Sequence, residues 1–417
     1  MTNVIEIRTE DESEGRTTLD ALCLEGAQRM LHSALQAEVA DYLERHRDAR
    51  GDDGRALITR HGKARPRQVT SGTGTMTVEA PRVRDRREGH RFTSAILPPY
   101  MRRTPKVAEV LPVLYLRGLS TGDFGPALTS LLGKDATAGL SPTAITRLTA
   151  QWQHDYEQFR GRSFQGRRYA YLFADGVHFR IRLEEDRLCT LVLIGVREDG
   201  KKELVAVEDG YRESAESWMS VLRSLQERGL DAPLLAIGDG ALGFWKALRD
   251  VWPQAAEQRC WVHRTANVLD KLPKRLQPRA KKHLHEIFQA ETKEVAEEEV
   301  RSFVKEYEQR YPKAVASLVK DEEKLLTFYD FPAAHWMTIR STNVIESAFA
   351  TVKLRQRVTK GAGTRTRGLT MAYQLLAMAE KRWRAIRSPY LVQHVLDGTK
   401  FLDGSPEQDV KDGERAA

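Results

Sequence analysis

A mixed α/β architecture of several domains is predicted for this chain by its length and by two features of one stretch. The chain has 417 residues, more than one ordinary core accommodates. Residues 169–239 contain three strand-like apolar runs, a helical pattern and a fourth strand-like run. Asp175 lies within the first run and Asp239 ends the fourth. Because an unpaired carboxylate is costly to bury, this pair indicates a metal site at a sheet edge.

The order of these elements predicts the sheet. Three consecutive strands form an antiparallel meander, and after a helix the fourth strand pairs in parallel beside the first. This is the order of a ribonuclease H-like fold, a mixed sheet flanked by helices. It would bring Asp175 and Asp239 close together, and a third acid on a later helix would complete a two-metal site.

Glu346 is the candidate for that third acid. It lies among Ile345, Phe349 and Val352, whose spacing is typical of the buried face of a helix. Asn343, three residues before it, can cap the start of that helix. For each of the three acids taken alone, a capping or hydrogen-bonded structural role is the alternative.

Four short motifs occur in a fixed order along the chain. They are ADG (Asp175), GDGALGFWKAL (Asp239), CWVH (Cys260 to His263) and STNVIES (Glu346). This ordered set resembles the Mutator-type DDE transposases of bacterial insertion sequences, and the likeness covers most of residues 55–390. No single motif is decisive, but the set is specific.

The resemblance implies a function and its cofactors. The two Asp and the Glu would hold two Mg²⁺ (or Mn²⁺) ions per active site, and a helical insertion would separate Asp239 from Glu346. The protein would act on double-stranded DNA, both terminal inverted repeats and target, as a homodimer or higher homo-oligomer. The implied segments are 1–60 (helical), 61–104 (basic, strand-containing), 105–160 (helix-turn-helix-like), 165–263 (core, first part), 264–338 (all-helical insertion), 339–395 (core, C-terminal part) and 396–417 (flexible tail).

The distribution of charge predicts contact with a phosphate backbone. Net charge is +8 overall, yet residues 60–106 contain twelve Lys or Arg against three acids. A basic segment of this density needs counter-charge, which DNA supplies. A solvated face is the alternative. The candidate contacts are Arg82, Arg84, Arg86 and Arg87.

Residues 105–160 are expected to form three helices. Two short helical patterns and a turn precede a longer one that starts at Ser141-Pro142, a good N-cap and N1 pair. This arrangement favours a helix-turn-helix, with Thr146 and Arg147 facing base edges. A plain three-helix bundle is the alternative.

Residues 18–46 are predicted to be an amphipathic helix that packs on the domain or forms a dimer.

A second basic stretch follows Glu346. Ten Lys or Arg stand between residues 353 and 387, against one acid. Lys353 lies two helical turns beyond Glu346 on the same face, so it would touch DNA beside the ions. Arg355 and Arg357 extend this surface.

Two further motifs are weak. Cys260 and His263 have the spacing of half a zinc site. Only His283 and His285 stand near enough in the sequence to supply the second half of such a site. A supporting role for Cys260 and His263 beside the active site is therefore preferred. The stretch 238–243 matches G-x-G-x-x-G, yet Asp239 would repel a pyrophosphate there. The strand predicted next, QRCWV, has no acid at its end to hold a ribose. No Walker-A pattern occurs, so no nucleotide cofactor is expected.

The composition of the chain indicates its cellular compartment. Three irregularly spaced cysteines fit a reducing cytosol. No apolar run reaches the roughly 20 residues of a membrane span, and the acidic N-terminus is no signal peptide. We therefore expect a nucleoid-associated protein of the bacterial cytoplasm without membrane partners.

The leading hypothesis is a DNA transposase. A transposase-derived DNA-binding regulator without catalysis and a ribonuclease H-like nuclease without strand joining are the alternatives, and metal-dependent cutting and joining separate the three.

Overall fold

A computed structural model of the chain divides into two compact units, Met1–Leu148 and Thr149–Ala417. The residues it describes are 18–107, 114, 142–181, 187–210, 214–240, 243–359 and 364–407. Residues 105–107, 114 and the helix from Pro142 are therefore the described part of the predicted helix-turn-helix, and the rest of residues 108–141 lies outside the described ranges.

The first unit packs one long helix on two strand pairs. Its elements are α1 (Thr18–Arg45), β1 (Ile58–Lys63), β2 (Arg67–Ser71), β3 (Gly74–Val78) and β4 (Pro81–Asp85). β1 pairs antiparallel with β4, and β2 with β3. Leu35 of α1 is buried with apolar residues of β2 and β3, which is the packing role predicted for the first helix. The helix predicted over residues 18–46 is thus confirmed as Thr18–Arg45, but its predicted amphipathic character is not, because Leu19, Leu22 and Met30 are exposed.

A five-stranded mixed sheet forms the centre of the second unit. The helix α2 (Pro142–Gly161) spans the boundary at Leu148. The elements that follow are β5 (Tyr169–Arg180), β6 (Arg187–Arg197), β7 (Lys202–Gly210), α3 (Ala215–Glu227), β8 (Leu235–Gly238), α4 (Phe244–Val251) and β9 (Ala256–Arg259). The strands lie in the order β7-β6-β5-β8-β9, with β8 parallel to β5 and β9 parallel to β8. The predicted antiparallel meander and the parallel fourth strand beside the first are therefore confirmed.

Burial on both faces explains the long apolar runs of these strands. Every residue of β6 from Leu188 to Val196 is buried, so the run shows no alternation of apolar and polar residues. Helices α3 and α4 bury Trp218 and Phe244 against one another, with ring centroids 5.1 Å apart. The contact α3–α4 requires Gly243, since a Cβ there would lie 2.4 Å from the backbone nitrogen of Ala215.

Helices dominate the rest of the second unit. They are α5 (Trp261–Leu269), α6 (Gln277–Gln289), α7 (Lys293–Tyr307), α8 (Pro312–Val319), α9 (Glu322–Leu326), α10 (Trp336–Ile339), α11 (Asn343–Thr359), α12 (Arg365–Glu380) and α13 (Tyr390–Leu396), with 3₁₀ turns at Thr327–Asp330 and Ala333–His335. Between Arg259 and Asn343, all of it described, the chain forms only helices and turns. The chain then returns to the sheet, where α11 packs on β5 and α12 on β7.

The flexible tail predicted from residue 396 is wrong for its first part. A short hairpin of β10 (Phe401–Leu402) and β11 (Ser405–Pro406) follows α13. Phe401 is buried, and the backbone of Gly404 bonds to Tyr329 and Ala333. These contacts order a segment that is mostly polar in composition but contains one buried apolar residue, Phe401. Residues 408–417 lie outside the described part.

Among the described helices, none has the length and apolar character that crossing a bilayer requires.

Candidate active site

Asp175 and Asp239 start from neighbouring positions on parallel strands. Gly238, the last residue of β8, pairs with Ala174 of β5, so Asp175 is the next residue of β5 and Asp239 is the first residue after β8. Neighbouring strands lie about 4.8 Å apart, which places the two acids side by side at the end of β8. Both side chains are half-buried. Each carboxylate also accepts a hydrogen bond from the backbone N–H of the glycine that follows it.

Glu346 enters from the helix that packs on β5. It lies in the first turn of α11, between buried Ile345 and Phe349. The N-cap of this helix was predicted at Asn343, but it is the preceding residue, Thr342. The carbonyl of Thr342 accepts the first helical hydrogen bonds, from the N–H groups of Ile345 and Glu346, whereas Asn343 is the exposed first residue of the helix.

The Thr342 hydroxyl connects three other side chains. Its Oγ1 lies 2.9 Å from Glu346 Oε1, 3.2 Å from Cys260 Sγ and 3.4 Å from His263 Nδ1. The backbone N–H of Thr342 also donates to Cys260 Sγ, at 3.3 Å. A hydroxyl has one proton and two lone pairs, so it donates to one neighbour and accepts from another. Thr342 is fully buried, which gives this arrangement little freedom to rearrange.

The side chains around His263 favour the protonated form of its ring. A hydrogen bond with Cys260 contributes most to raising the pKa of His263, to about 9, and electrostatic interactions with Cys260, Asp239 and Glu346 add to it, while burial opposes it. The ring Nε2 stands 3.7 Å from Glu346 Oε1. Asp239 and Glu346 therefore both lie close enough to the ring to influence its pKa.

Backbone hydrogen bonds bring Cys260 and Thr342 together. The N–H of Cys260 donates to Gly238 O at 2.9 Å, and the N–H of Trp261 donates to Arg340 O at 3.0 Å. The strand predicted over QRCWV is therefore too long, because β9 ends at Arg259 and α5 begins at Trp261. Val262, predicted as a strand residue, is 43% exposed.

Cys260 and His263, which have the spacing of half a zinc site, gain a neighbour from elsewhere in the chain. Within the described residues, one set of three candidate ligand groups has all its ligand atoms within 4.8 Å of one another: Cys260, His263 and Glu346. Asp175 and Asp239 are not in that set. His283 is buried in the helical region and contacts Glu299 and Glu306 instead.

Three residues at this edge were missed by the sequence reasoning. Thr342 is one. Trp245 donates from Nε1 to the carbonyl of Asp239 at 2.6 Å. The guanidinium of Arg264, paired with Asp321, lies 3.3 Å from where a Cβ on Gly240 would be. A Thr before an apolar helical stripe is a cap signal that could have identified Thr342, whereas neither Trp245 nor Arg264 has a local signal.

The four predicted arginines of the first unit fall into two groups. Arg82, Arg84 and Arg86 alternate with less exposed residues along β4 and beyond, and all three are exposed. Arg87 instead forms an ion pair with Asp85, with Nη2 2.8 Å from Oδ2. This guanidinium holds the pKa of the Asp85 carboxyl far below its ordinary value, and the Tyr42 hydroxyl bonds the same carboxylate.

The remaining predicted DNA contacts lie on helices. Lys353 is exposed on α11. The backbones of Arg355 and Arg357 also lie on α11, and those of Thr146 and Arg147 on α2, but these four side chains fall outside the described residues. One basic residue of the second stretch is already neutralised. Arg365 pairs with Asp209 through Nη2 and Oδ1, 2.8 Å apart.

Comparison with known proteins decides the family. The family model described as "Transposase, Mutator family" matches residues 2–385. The chain belongs to the Mutator family of transposases.

Two relatives of this Mutator-family chain are highly similar to it. A transposase for insertion sequence element IS6120 from Mycolicibacterium smegmatis is 53% identical over 298 residues, which are 72% of this chain and 92% of that protein. A transposase for insertion sequence element IST2 from Acidithiobacillus ferrooxidans is 50% identical over 288 residues, 67% of this chain and 95% of that protein. A third relative, a transposase for insertion sequence element IS256 in transposon Tn4001 from Staphylococcus aureus, is 27% identical over 297 residues, which are 70% of this chain and 74% of that protein. The resemblance to Mutator-type transposases is thus confirmed.

Proposed function

We propose that this protein is the transposase of an insertion sequence, which binds the terminal inverted repeats of the element, cleaves the DNA there and joins the cut ends to target DNA. Asp175, Asp239 and Glu346 would form its active site. We also propose that the five-stranded sheet is a ribonuclease H-like core and that the helices between β9 and α11 are its insertion. Family membership supports the class of activity.

The observation that carries the assignment of the site is the position of its two aspartates. The register that pairs Ala174 with Gly238 makes Asp175 and Asp239 neighbours across two parallel strands. A packing requirement explains an apolar residue at such a point, but it does not explain two half-buried acids. Glu346 approaches the same edge, because Cys260 bonds to Gly238 on one side and to Thr342 on the other.

The donor atoms of this trio suit Mg²⁺ or Mn²⁺. All three side chains offer carboxylate oxygen, which is the hard ligand that these ions prefer. When bound, a pair of such ions lowers the pKa of an attacking water or 3′-hydroxyl and stabilises the leaving oxygen.

The surrounding residues would hold the acids in place. Thr342 bonds Glu346 Oε1 and fixes the rotation of that carboxylate. Trp245 bonds the backbone of Asp239 and fixes the turn after β8. No covalent protein intermediate and no nucleotide are required, because each step exchanges one phosphodiester bond for another. A homo-oligomer would bring two element ends together.

The flanking DNA offers the first test of this function. Inverted repeats that bracket the reading frame are expected, and purified protein should nick a duplex carrying those ends only with Mg²⁺ or Mn²⁺ present. End-specific binding without nicking would identify a regulator. Nicking without any joined product would identify a nuclease.

Neutralising Arg82, Arg84 and Arg86 together to Gln is expected to weaken DNA binding and flatten its dependence on salt. Each phosphate contact that is lost lowers the slope of log K against log salt by about 0.9. Binding titrations of the full chain at several salt concentrations measure this slope. The matched control is Arg87→Gln, which removes the pair with Asp85 and should lower the melting temperature with less effect on the slope. An unchanged slope in the triple variant would show that these side chains face solvent.

Thr146→Ala combined with Arg147→Ala is expected to abolish the preference for terminal repeats over scrambled DNA. If α2 is the recognition helix, Arg147 is suited to a bidentate guanine contact worth about 1–3 kcal/mol of discrimination. General affinity should persist, because the basic segment is intact. Footprints on the two duplexes measure the preference. A variant that still prefers its own ends would place end recognition elsewhere in the chain.

A further inference from the structure

Three different ligand types converge beside the proposed catalytic acids. Cys260 offers sulfur, His263 an imidazole nitrogen and Glu346 a carboxylate oxygen, with all ligand atoms within 4.8 Å of one another. Sulfur and imidazole ligands are those of zinc-class ions, whereas Mg²⁺ takes oxygen alone. This edge of the sheet therefore offers two sets of ligands for two classes of ion, and Glu346 belongs to both.

The separations are close to those of a coordinated ion. Ligand atoms around a tetrahedral zinc, bound at about 2.0–2.3 Å, lie about 3.3–3.7 Å apart. His263 Nε2 and Glu346 Oε1 are already 3.7 Å apart. Cys260 and His263 are three residues apart at the start of α5, the spacing that lets two side chains of one helical turn share an ion. Because no separation between these ligand atoms exceeds 4.8 Å, the required contraction is at most about 1.5 Å.

Burial defines how an ion would reach this site. The Cys260 side chain is buried, while those of His263 and Glu346 are 32% and 35% exposed. The sulfur thus lies at the base, and the other two groups border solvent. Three protein ligands and an open side are the pattern of a site that keeps a position for water. The other two cysteines belong to no such set among the described residues: Cys23 is exposed and Cys189 is buried in the sheet.

We propose that Cys260, His263 and Glu346 form a binding site for a thiophilic divalent ion of the zinc class, and that its occupancy inhibits DNA cleavage. Binding releases the thiol proton and any imidazole proton to solvent. The ion takes the Glu346 carboxylate away from the proposed Mg²⁺ ligands and adds positive charge beside Asp239. The inhibition rests on the proposed function, whereas the ion binding does not.

Titration of the full chain with Co²⁺, a coloured substitute for zinc, tests the site without any activity. Wild-type protein should show a thiolate-to-cobalt charge-transfer band that saturates at one ion per chain, and zinc should then remove this band. Cys260→Ser should abolish the band, whereas Cys23→Ser and Cys189→Ser should retain it. His263→Gln, at a partly exposed side chain, should weaken cobalt binding about 10- to 100-fold while the fold persists. Absence of the band in the folded wild-type protein would overturn the proposal.

Zinc inhibition of Mg²⁺-dependent nicking tests the consequence. The zinc concentration for half-inhibition should rise at least about tenfold in Cys260→Ser, measured relative to its own uninhibited rate, and stay unchanged in Cys189→Ser. Equal inhibition of the two variants would overturn the inhibitory role. A wild-type protein that binds cobalt through Cys260 but never nicks DNA would instead contradict the proposed function and leave the metal site standing.

Discussion

Asp175→Asn, Asp239→Asn and Glu346→Gln should each reduce DNA cleavage and joining by at least about a thousandfold. The amides preserve the shape of each side chain but remove the charge that would hold two dications. Loss of one electrostatic contact to a transition state alone costs about 10²–10³ in rate, and loss of an ion removes several such contacts. Single-turnover nicking of an end-containing duplex measures the effect, and binding of the same duplex should stay near the wild-type level.

Asp199→Asn is the matched control for these three variants. Asp199 lies in the turn between β6 and β7, where it pairs with Arg197 and Lys201. It is an acid of the same unit that pairs with exposed cations and accepts a hydrogen bond from the backbone N–H of Lys201, so nicking should be unchanged. Near-wild-type joining by any one of the three acid variants would remove that residue from the proposed site.

Thr342→Val should reduce nicking about 10- to 100-fold and raise the Mg²⁺ concentration needed for half-maximal rate. Valine has nearly the volume of threonine but lacks the hydroxyl that bonds Glu346 at 2.9 Å. Loss of a group that orients a metal ligand typically lowers metal affinity or activity by about 10- to 100-fold. The rate measured across a Mg²⁺ titration separates a weaker affinity from a lower maximum.

Thr342→Ser provides the rescue test for this prediction. Serine keeps the hydroxyl and should restore the Mg²⁺ dependence to near that of the wild type. Thermal melting of both variants checks that the buried position is still filled. If the valine and serine variants lose activity equally, packing of the threonine methyl matters and its hydrogen bond to Glu346 does not.

The strand order of the sheet could be predicted from sequence because its signals are local. Strands buried on both faces leave unbroken apolar runs, as in Leu188 to Val196, and turns punctuate them. The end of β9 could not be predicted in this way. Trp261 leaves the strand because its N–H bonds to Arg340, a residue far along the chain. The hairpin at Phe401 is likewise held by contacts with Tyr329 and Ala333, so its order is tertiary in origin.

The chemistry of the site was also only partly readable. Acids in apolar runs identified Asp175 and Asp239, since burial makes such residues unusual. The cap of the helix that carries Glu346 was predicted at Asn343, whereas the backbone hydrogen bonds place it at Thr342, one residue earlier. Similarly, charge density marked Arg82 and Arg87 alike. Only the fold shows that Arg87 is occupied by Asp85.

Strand joining by the purified wild-type protein provides the most direct test of the proposed active site. A labelled duplex that ends in the terminal repeat of the element is incubated with a target plasmid, with Mg²⁺ or with a chelator. We expect the labelled 3′ end to become covalently joined to the plasmid only with Mg²⁺, only for the terminal sequence, and not with the Asp239→Asn variant. Joining that persists in the chelator or in that variant would contradict the assignment of Asp175, Asp239 and Glu346 as the metal-dependent active site.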